Sequence, residues 1–537
     1  MNRQDFVRNR FFSNPLPAHL TLLAGLSALI YLLVFTWPFP LTRFYSTIPP
    51  VDYTKLTGYS PGGLVAYVLA IGSLFGLYLW AIRLTTPVDK QAPAGVATLT
   101  PSGGQPPAVG GRFIFFSSAL LAAVSVFAYP LTAIDLFIYA LRTRGWALYG
   151  LNPLAAAPEQ LQRGDPWIGL AAEWMNAPSP YGPVWEWLSL GAFHLSGGDF
   201  LPHLLALKLL AALAYLGCVW LVYQIMRQLR PAWAIAGTIA FAWSPLVLLE
   251  SVQNGHNDIV MVFFLLAAIW VLNLPIFESV NKSAPPLPPF ASSLIQVALV
   301  SVLLALSILV KFVTIMIVPF FLLALAMSQP NWLRRIGVMI ISGLLIGAVV
   351  VGLMLPIWPG RENWAVLETG SQAGRSLLAL LILGLRDSLG LSLAFDVSRN
   401  SLLVILATIY LYFLWQTLAK LRQRSPAASL PTLPIWPSFY ILCWYVLLAA
   451  PVFHAWYLLW FLPLAPLLLP NRRPFIAGAV FSVTALLIIP YFETIRVWYP
   501  ALLQNQLIGH LIGVPLLIGP PILTLLWPLK LSETGEI

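Results

Sequence analysis

Ile336-Gly-Val-Met-Ile-Ile-Ser-Gly-Leu-Leu-Ile-Gly-Ala-Val-Val-Val-Gly-Leu-Met-Leu-Pro-Ile357 runs for 22 residues without one ionisable side chain. As a helix rising about 1.5 Å per residue it is roughly 33 Å long, enough for a hydrocarbon core of about 30 Å. Arg334 and Arg335 stand just before it, as basic residues do at the cytoplasmic end of a membrane span. The rest of the chain repeats the pattern. Hydrophobic residues make up 59% and charged residues 9% of the 537, and the mean hydropathy is +0.82. Soluble domains carry about 25% charged residues, so this chain cannot assemble a water-facing surface. Lipid must solvate it. The 29 Lys and Arg outnumber the 19 Asp and Glu. They lie singly or in pairs between apolar runs, which fits positive-inside loops and no nucleic-acid patch. Cys218 and Cys443 both sit inside apolar runs, which excludes a disulfide framework or a Cys-based zinc site. The first apolar run is long enough to span and lacks a small-residue cleavage site, so no cleaved signal peptide is expected.

Working outward from residues 336–357, the expectation is an all-α polytopic membrane protein, one integral-membrane domain over 1–537. About fourteen spans are expected, near 18–39, 62–84, 113–134, 203–226, 232–249, 259–274, 293–309, 311–327, 336–357, 400–419, 434–452, 455–470, 474–491 and 503–528. Arg3, Arg8 and Arg10 place the N-terminus in the cytoplasm. Alternation then puts Arg83–Arg112, Arg227/Arg230, Arg334/Arg335, Lys420/Arg422/Arg424, Arg472/Arg473 and the C-terminal Lys530 on the same side. This requires that Tyr181–Leu195 and Ser376–Ala394 stay interfacial or re-entrant. Residues 86–111, rich in Pro, Gly, Ala and Thr, read as a flexible cytoplasmic linker, and 277–289 as a shorter one. No internal repeat is evident.

Because charge is scarce, its location is informative. The same alternation leaves Asp135–Pro183 as one long extracytoplasmic loop, dense in carboxylates and aromatics; loops of this length are usually functional. Asp135 follows the third span among apolar neighbours, where desolvation would raise its pKa and make it a better base. Asp is equally a favoured N-cap for the helix that follows. Arg142 and Arg144 are two residues apart in that helix, so at most one is expected to face the same ligand as Asp135. A second polar cluster, Glu250-Ser-Val-Gln-Asn-Gly-His-Asn-Asp258, opens the sixth span. Asn257 or Asp258 could cap that helix, but a cap has no need of His256. Glu250 and His256 are metal-ligand types, yet their spacing matches no standard metal motif, and neither metal nor cofactor is expected. Lys208 and Lys311 lie within or between spans on the same side. An ionisable residue at such depth is a functional candidate and a lysine suits a phosphate, while snorkelling is the alternative. His454 precedes Ala-Trp456-Tyr457-Leu-Leu-Trp460 at an outer span end, where Trp and Tyr could also form an aromatic belt.

Asp135-Leu-Phe-Ile-Tyr139, Gly150-Leu-Asn-Pro153, Asp165-Pro-Trp167, Trp174 and Ser179-Pro-Tyr-Gly-Pro183 resemble the first large external loop of the polyprenol-phosphate-mannose-dependent α-1,6-mannosyltransferases. Trp243-Ser-Pro-Leu-Val-Leu-Leu249 with Gly255-His-Asn-Asp258, Lys311, and Trp456-Tyr-Leu-Leu-Trp460 extend the likeness over about residues 113–465. Leu154 and Ser244 depart from it, standing where the family tends to have an aromatic and an Asn. The resemblance implies a GT-C bundle with short interfacial helices in its external loop. It further implies a polyprenyl-phosphate sugar donor, a glycan or lipid-linked acceptor, and Asp135 as the base of an inverting transfer in the plasma membrane. Tyr139 and Tyr181 would wall the sugar site with Trp456 and Tyr457. Arg142, Arg144, Lys208, His256, Asn257, Asp258, Lys311 and His454 would supply polar and phosphate contacts. Two other readings make use of similar residues. A lipid or glycan flippase should place its charges near the membrane midplane, and an O-antigen ligase or polymerase-like enzyme gives no reason for Asp135 followed by Pro-Tyr-Gly-Pro.

Overall fold

The computed structural model describes residues 16–87, 109–162, 164–171, 173–274, 289–360, 373–422 and 432–527. Most of the 86–111 linker and of the 277–289 linker lies outside them. All regular structure among the described residues is helical, apart from two isolated bridges, Pro40 to Ala128 and Gly374 to Val452. Seven helices are long and apolar enough to cross a membrane unaided: Leu16–Thr36, Pro61–Thr85, Phe200–Leu229, Trp332–Ile357, Leu391–Leu421, Arg472–Trp498 and Gln506–Leu526. Pro231–Ala242 and Pro245–Gln253 form an eighth crossing if read together, bent by 51°. The bend has a local cause. Pro245 lacks an N–H and pushes the residue before it out of the helical region, and Ser244 is at ψ 122. The six remaining expected spans fall on other apolar helices, among them Gly111–Val126, Asp258–Leu272 and the 22-residue Pro289–Val310. Among the described residues, length and composition alone identify up to eight crossings.

The two stretches expected not to cross form 13-residue helices, Pro183–Leu195 and Leu377–Leu389. At about 20 Å each they fall short of the bilayer core. In lipid, close packing rather than hydrophobic expulsion joins helices, and small residues permit it. Gly217 illustrates this where Phe200–Leu229 meets Asp258–Leu272: a Cβ there would lie 2.7 Å from the Phe263 ring. By contrast, in Trp332–Ile357 only 17% of the apolar window is buried against protein. That helix is apolar on all sides because lipid, not protein, surrounds most of it.

Candidate functional site

Asp135 is the first residue of the helix Asp135–Tyr149, and the N-cap position belongs to Ile134, which makes no side-chain cap. The capping alternative therefore fails. The carboxylate turns inward instead: Tyr181 donates its hydroxyl to Asp135 Oδ2 at 3.4 Å, and His256 Nδ1 stands 3.9 Å from the same oxygen. The other imidazole nitrogen, Nε2, lies 3.3 Å from Glu250 Oε2. A buried line of carboxylate, imidazole and carboxylate results. Glu250 is fixed in turn by Thr132 Oγ1 at 3.1 Å and Asn254 Nδ2 at 2.8 Å, while Asn254 Oδ1 accepts from the Leu131 N–H at 3.1 Å. The backbone leading into Asp135 is thus tied to the segment that carries Glu250 and His256. Gly255 makes the turn between them at φ +75, where a Cβ would press on Leu136 and Lys208 at 3.2 Å. Burial pushes the Asp135 carboxyl above its ordinary range, against the opposing charges of His256, Lys311 and Arg142, and nearby Asp258 adds to the rise.

Asp258 also starts its helix, and Asn257 in the cap position makes no capping bond, so neither caps through its side chain. Asp258 Oδ1 accepts from Lys311 Nζ at 2.6 Å and from the Trp460 indole N–H. Rings box in the ammonium: Tyr457 and Trp460 at 5.2 Å and Tyr181 at 5.5 Å. Lys311 is therefore ion-paired rather than snorkelling. His454 stacks on Trp456 at 4.1 Å, and Trp456 stacks on His256 at 4.2 Å. The Asn257 amide is buried, and neither its nitrogen nor its oxygen has a hydrogen-bond partner among the described residues. Tyr139 meets Tyr181 edge to face at 5.3 Å and reaches its hydroxyl at 3.4 Å. The structure thus brings Asp135, Tyr139, Tyr181, His256, Asn257, Asp258, Lys311, His454, Trp456 and Tyr457 into one cluster.

Three residues expected as contacts are engaged by other protein groups. Arg142 Nη2 donates to the carbonyls of Ala177 and Pro178 at 3.1 and 3.2 Å, which anchors the loop. Arg144 holds Asp165 through Nε at 2.7 Å and covers the Trp167 ring at 4.5 Å, so it fixes the loop. The Lys208 ammonium donates to the carbonyls of Ser125 and Ala128 and satisfies the end of the helix Gly111–Val126, away from the cluster. Sequence reasoning left Glu250, Thr132, Asn254 and Trp460 outside the site. Glu250 carried a usable signal, being an ionisable group in an apolar run. Trp460 stood in the stretch Trp456-Tyr-Leu-Leu-Trp460, but nothing local pointed to its partner, which is 202 residues away.

Pro-Tyr-Gly-Pro docks on the turn that carries Lys311. The Gly182 N–H bonds the Val310 carbonyl at 3.1 Å, and a Cβ on Gly182 would lie 2.1 Å from the Leu309 carbonyl oxygen. Backbone cannot yield as a flexible side chain does. Gly182→Ala is expected to cost about 1–3 kcal/mol or more through overpacking and to move Tyr181 away from Lys311 and Asp135. A wild-type thermal unfolding midpoint for the purified variant would refute this packing.

Residues 54–327, just over half of the chain, match the family described as alpha-(1->6)-mannopyranosyltransferase, N-terminal domain. The chain belongs to the α-(1→6)-mannopyranosyltransferase family. Helix Asp135–Tyr149, the Pro-Tyr-Gly-Pro loop, the Glu250–Asp258 segment and Lys311 all fall within the matched region. A probable alpha-(1->6)-mannopyranosyltransferase of Mycolicibacterium smegmatis is 25% identical over 66% of this chain and 64% of its own length. Alpha-(1->6)-mannopyranosyltransferase B of Corynebacterium glutamicum is 22% identical over 66% of this chain and 58% of its own. The aligned region therefore spans less than two thirds of either relative. Among solved structures, ArnT from Cupriavidus metallidurans bound to undecaprenyl phosphate is similar at a TM-score of 0.42 and 13% identity, over 78% of this chain and 76% of that one.

Proposed function

We propose that this protein is a membrane mannosyltransferase of the GT-C type that moves mannose from a polyprenyl-phosphate donor to a glycan or lipid-linked acceptor on the extracytoplasmic face. The observation that carries the reading is Asp135: a buried carboxylate with no capping duty, aligned with His256 and Glu250 inside the family's matched region. In the proposed step the acceptor hydroxyl attacks C1 of the sugar and its proton passes to Asp135. The C1–oxygen bond to the lipid phosphate breaks, the phosphate leaves as an anion, and the anomeric carbon inverts. Glu250 faces the Nε2 edge of His256 at 3.3 Å, while the Nδ1 edge faces Asp135. Asn257, with both amide atoms uncommitted, suits a sugar hydroxyl, and Tyr139, Tyr181, Trp456 and Tyr457 offer ring faces and edges to the hexose. A flippase has no need of a carboxylate–imidazole–carboxylate line at one end of the bundle.

Incorporation of label from a short-chain polyprenyl-phosphate-mannose by membranes containing the protein tests the reading. Transfer above that of membranes without it is expected; its absence with every acceptor extract tried would overturn the proposal. The pH dependence is a second check. The base must be ionised to act, and burial raises the Asp135 pKa. The acid limb of kcat/KM should therefore fall at a pH above the usual carboxylate range of about 4. An acid limb at or below that range would separate the limiting ionisation from Asp135.

A further inference from the structure

Glu186 stands in the first turn of the helix Pro183–Leu195 and is only 2% exposed. An acidic residue in a first turn commonly does no more than meet the helix dipole. That role gives no reason for burial, which costs a carboxylate its hydration. Glu186 instead reaches back past the N-cap, Gly182, which makes no side-chain cap. The Ser179 hydroxyl donates to Glu186 Oε1 at 2.5 Å. The same Ser179 oxygen accepts from the Tyr181 N–H at 3.3 Å, and the Ser179 N–H reaches the Pro153 carbonyl at 2.7 Å. Burial pushes the Glu186 carboxyl up to about 7, against the Ser179 hydrogen bond and the charge of Arg142.

The two residues before Ser179 are held by the helix that carries Asp135. Arg142, about two turns beyond Asp135, donates to the carbonyls of Ala177 and Pro178. One loop is thus clamped by two helices, the one that begins at Asp135 and the one that begins at Pro183. Tyr181 lies between the clamped residues and the second helix. Its hydroxyl is 3.4 Å from Asp135 Oδ2, and its ring is 5.5 Å from the Lys311 ammonium. A serine hydroxyl rotates to suit its partners. With its proton committed to Glu186, Ser179 presents a lone pair to the Tyr181 N–H, so the carboxyl fixes the backbone from which the tyrosine extends.

We propose that Glu186 is a positioning residue: through Ser179 it holds the Tyr181 hydroxyl on Asp135 and the Tyr181 ring beside Lys311. The proposal rests on the base role of Asp135 given in the preceding section.

The test is label transfer as a function of pH, beside hydrogen exchange of the purified full chain in detergent. Glu186→Leu and Ser179→Ala should each lower kcat by about tenfold to a hundredfold, as small misplacements of catalytic groups do, with the donor KM changed less. The acid limb of kcat/KM should also move to higher pH in both. The Tyr181 hydroxyl favours the ionised carboxylate, so its loss raises the Asp135 pKa, while His256, Lys311, Arg142 and Asp258 around it are unchanged. Loss of the Glu186 charge alone would move the limb down, and a purely structural defect would leave it in place. Glu186→Gln keeps an acceptor for Ser179 and should transfer nearly as wild type does. In a Tyr181→Phe background neither substitution should shift the limb further, because residues in one hydrogen-bonded chain are not additive. The peptide spanning residues 177–182 should exchange faster in both variants than in wild type. Ser179→Ala removes a single oxygen and carries the comparison if Glu186→Leu does not fold. The proposal is overturned if the acid limb stays where wild type has it, or if Glu186→Gln loses as much as Glu186→Leu. Wild-type exchange of that peptide overturns it as well and needs no activity. If the wild type transfers no label, the base role of Asp135 falls, and exchange still decides whether Glu186 sets the loop.

Discussion

Asp135→Asn is expected to abolish transfer and leave the folded protein intact. The variant keeps the size of the side chain and can still accept from Tyr181, but an amide cannot take the acceptor's proton. Removing a general base costs on the order of 10²–10⁴-fold in rate. The helix should not notice, because Ile134 occupies the N-cap and Asp135 makes no cap bond; even if it did, Asn caps about as well as Asp. Burial argues the same way, since a neutral amide avoids the desolvation that raises the Asp135 pKa. Initial rates at saturating donor, normalised to monodisperse purified protein, decide the matter. A variant retaining more than about half the activity, where general-base loss demands at least about a hundredfold fall, would remove Asp135 from the chemistry. Asp258→Asn, another carboxylate at a helix start, is not a neutral control, because its oxygen holds both Lys311 and Trp460.

Two kinds of information were legible in the sequence to different degrees. The membrane class was fully readable because it depends on composition: residues 336–357 need no partner to declare themselves a span. The helix Asp135–Tyr149 and its end were also local, with Gly150 taking the left-handed conformation at φ 66 that closes such a helix. The site was readable as a set of residues but not as an arrangement. Asp135 and His256 are separated by more than a hundred residues, and only the packing of the Glu250–Asp258 segment against Leu131 and Thr132 joins them. Arginines were the least legible. Arg142, Arg144, Arg375 and Arg496 are alike in a sequence, yet one clamps carbonyls, one pairs with Asp165, one sits in a strained turn, and one has no ion pair among the described residues. Distant partners decide among these roles, and a single sequence does not carry that information. The number of crossings was not legible for a related reason: short apolar helices packed against protein have the same composition as those facing lipid.

Lys311→Met should be the most destabilising polar substitution in the cluster, and Asp258→Asn should partly rescue it. The Asp258 side chain is fully buried, and that of Lys311 is 15% exposed. Removing the ammonium leaves a carboxylate in a ring-lined, low-dielectric pocket with only the indole N–H of Trp460 for compensation. Breaking such a pair typically costs about 3–5 kcal/mol, most of it the penalty of the stranded charge. Neutralising both partners removes that penalty. The double variant should therefore be more stable than Lys311→Met alone, with a coupling energy of about 1–3 kcal/mol. Chemical unfolding of the four proteins in one detergent gives the cycle directly. Additive losses would mean that the 2.6 Å contact contributes nothing beyond its separate parts. Such a result would also undercut the reading that Lys311 is held by Asp258 rather than free for a ligand.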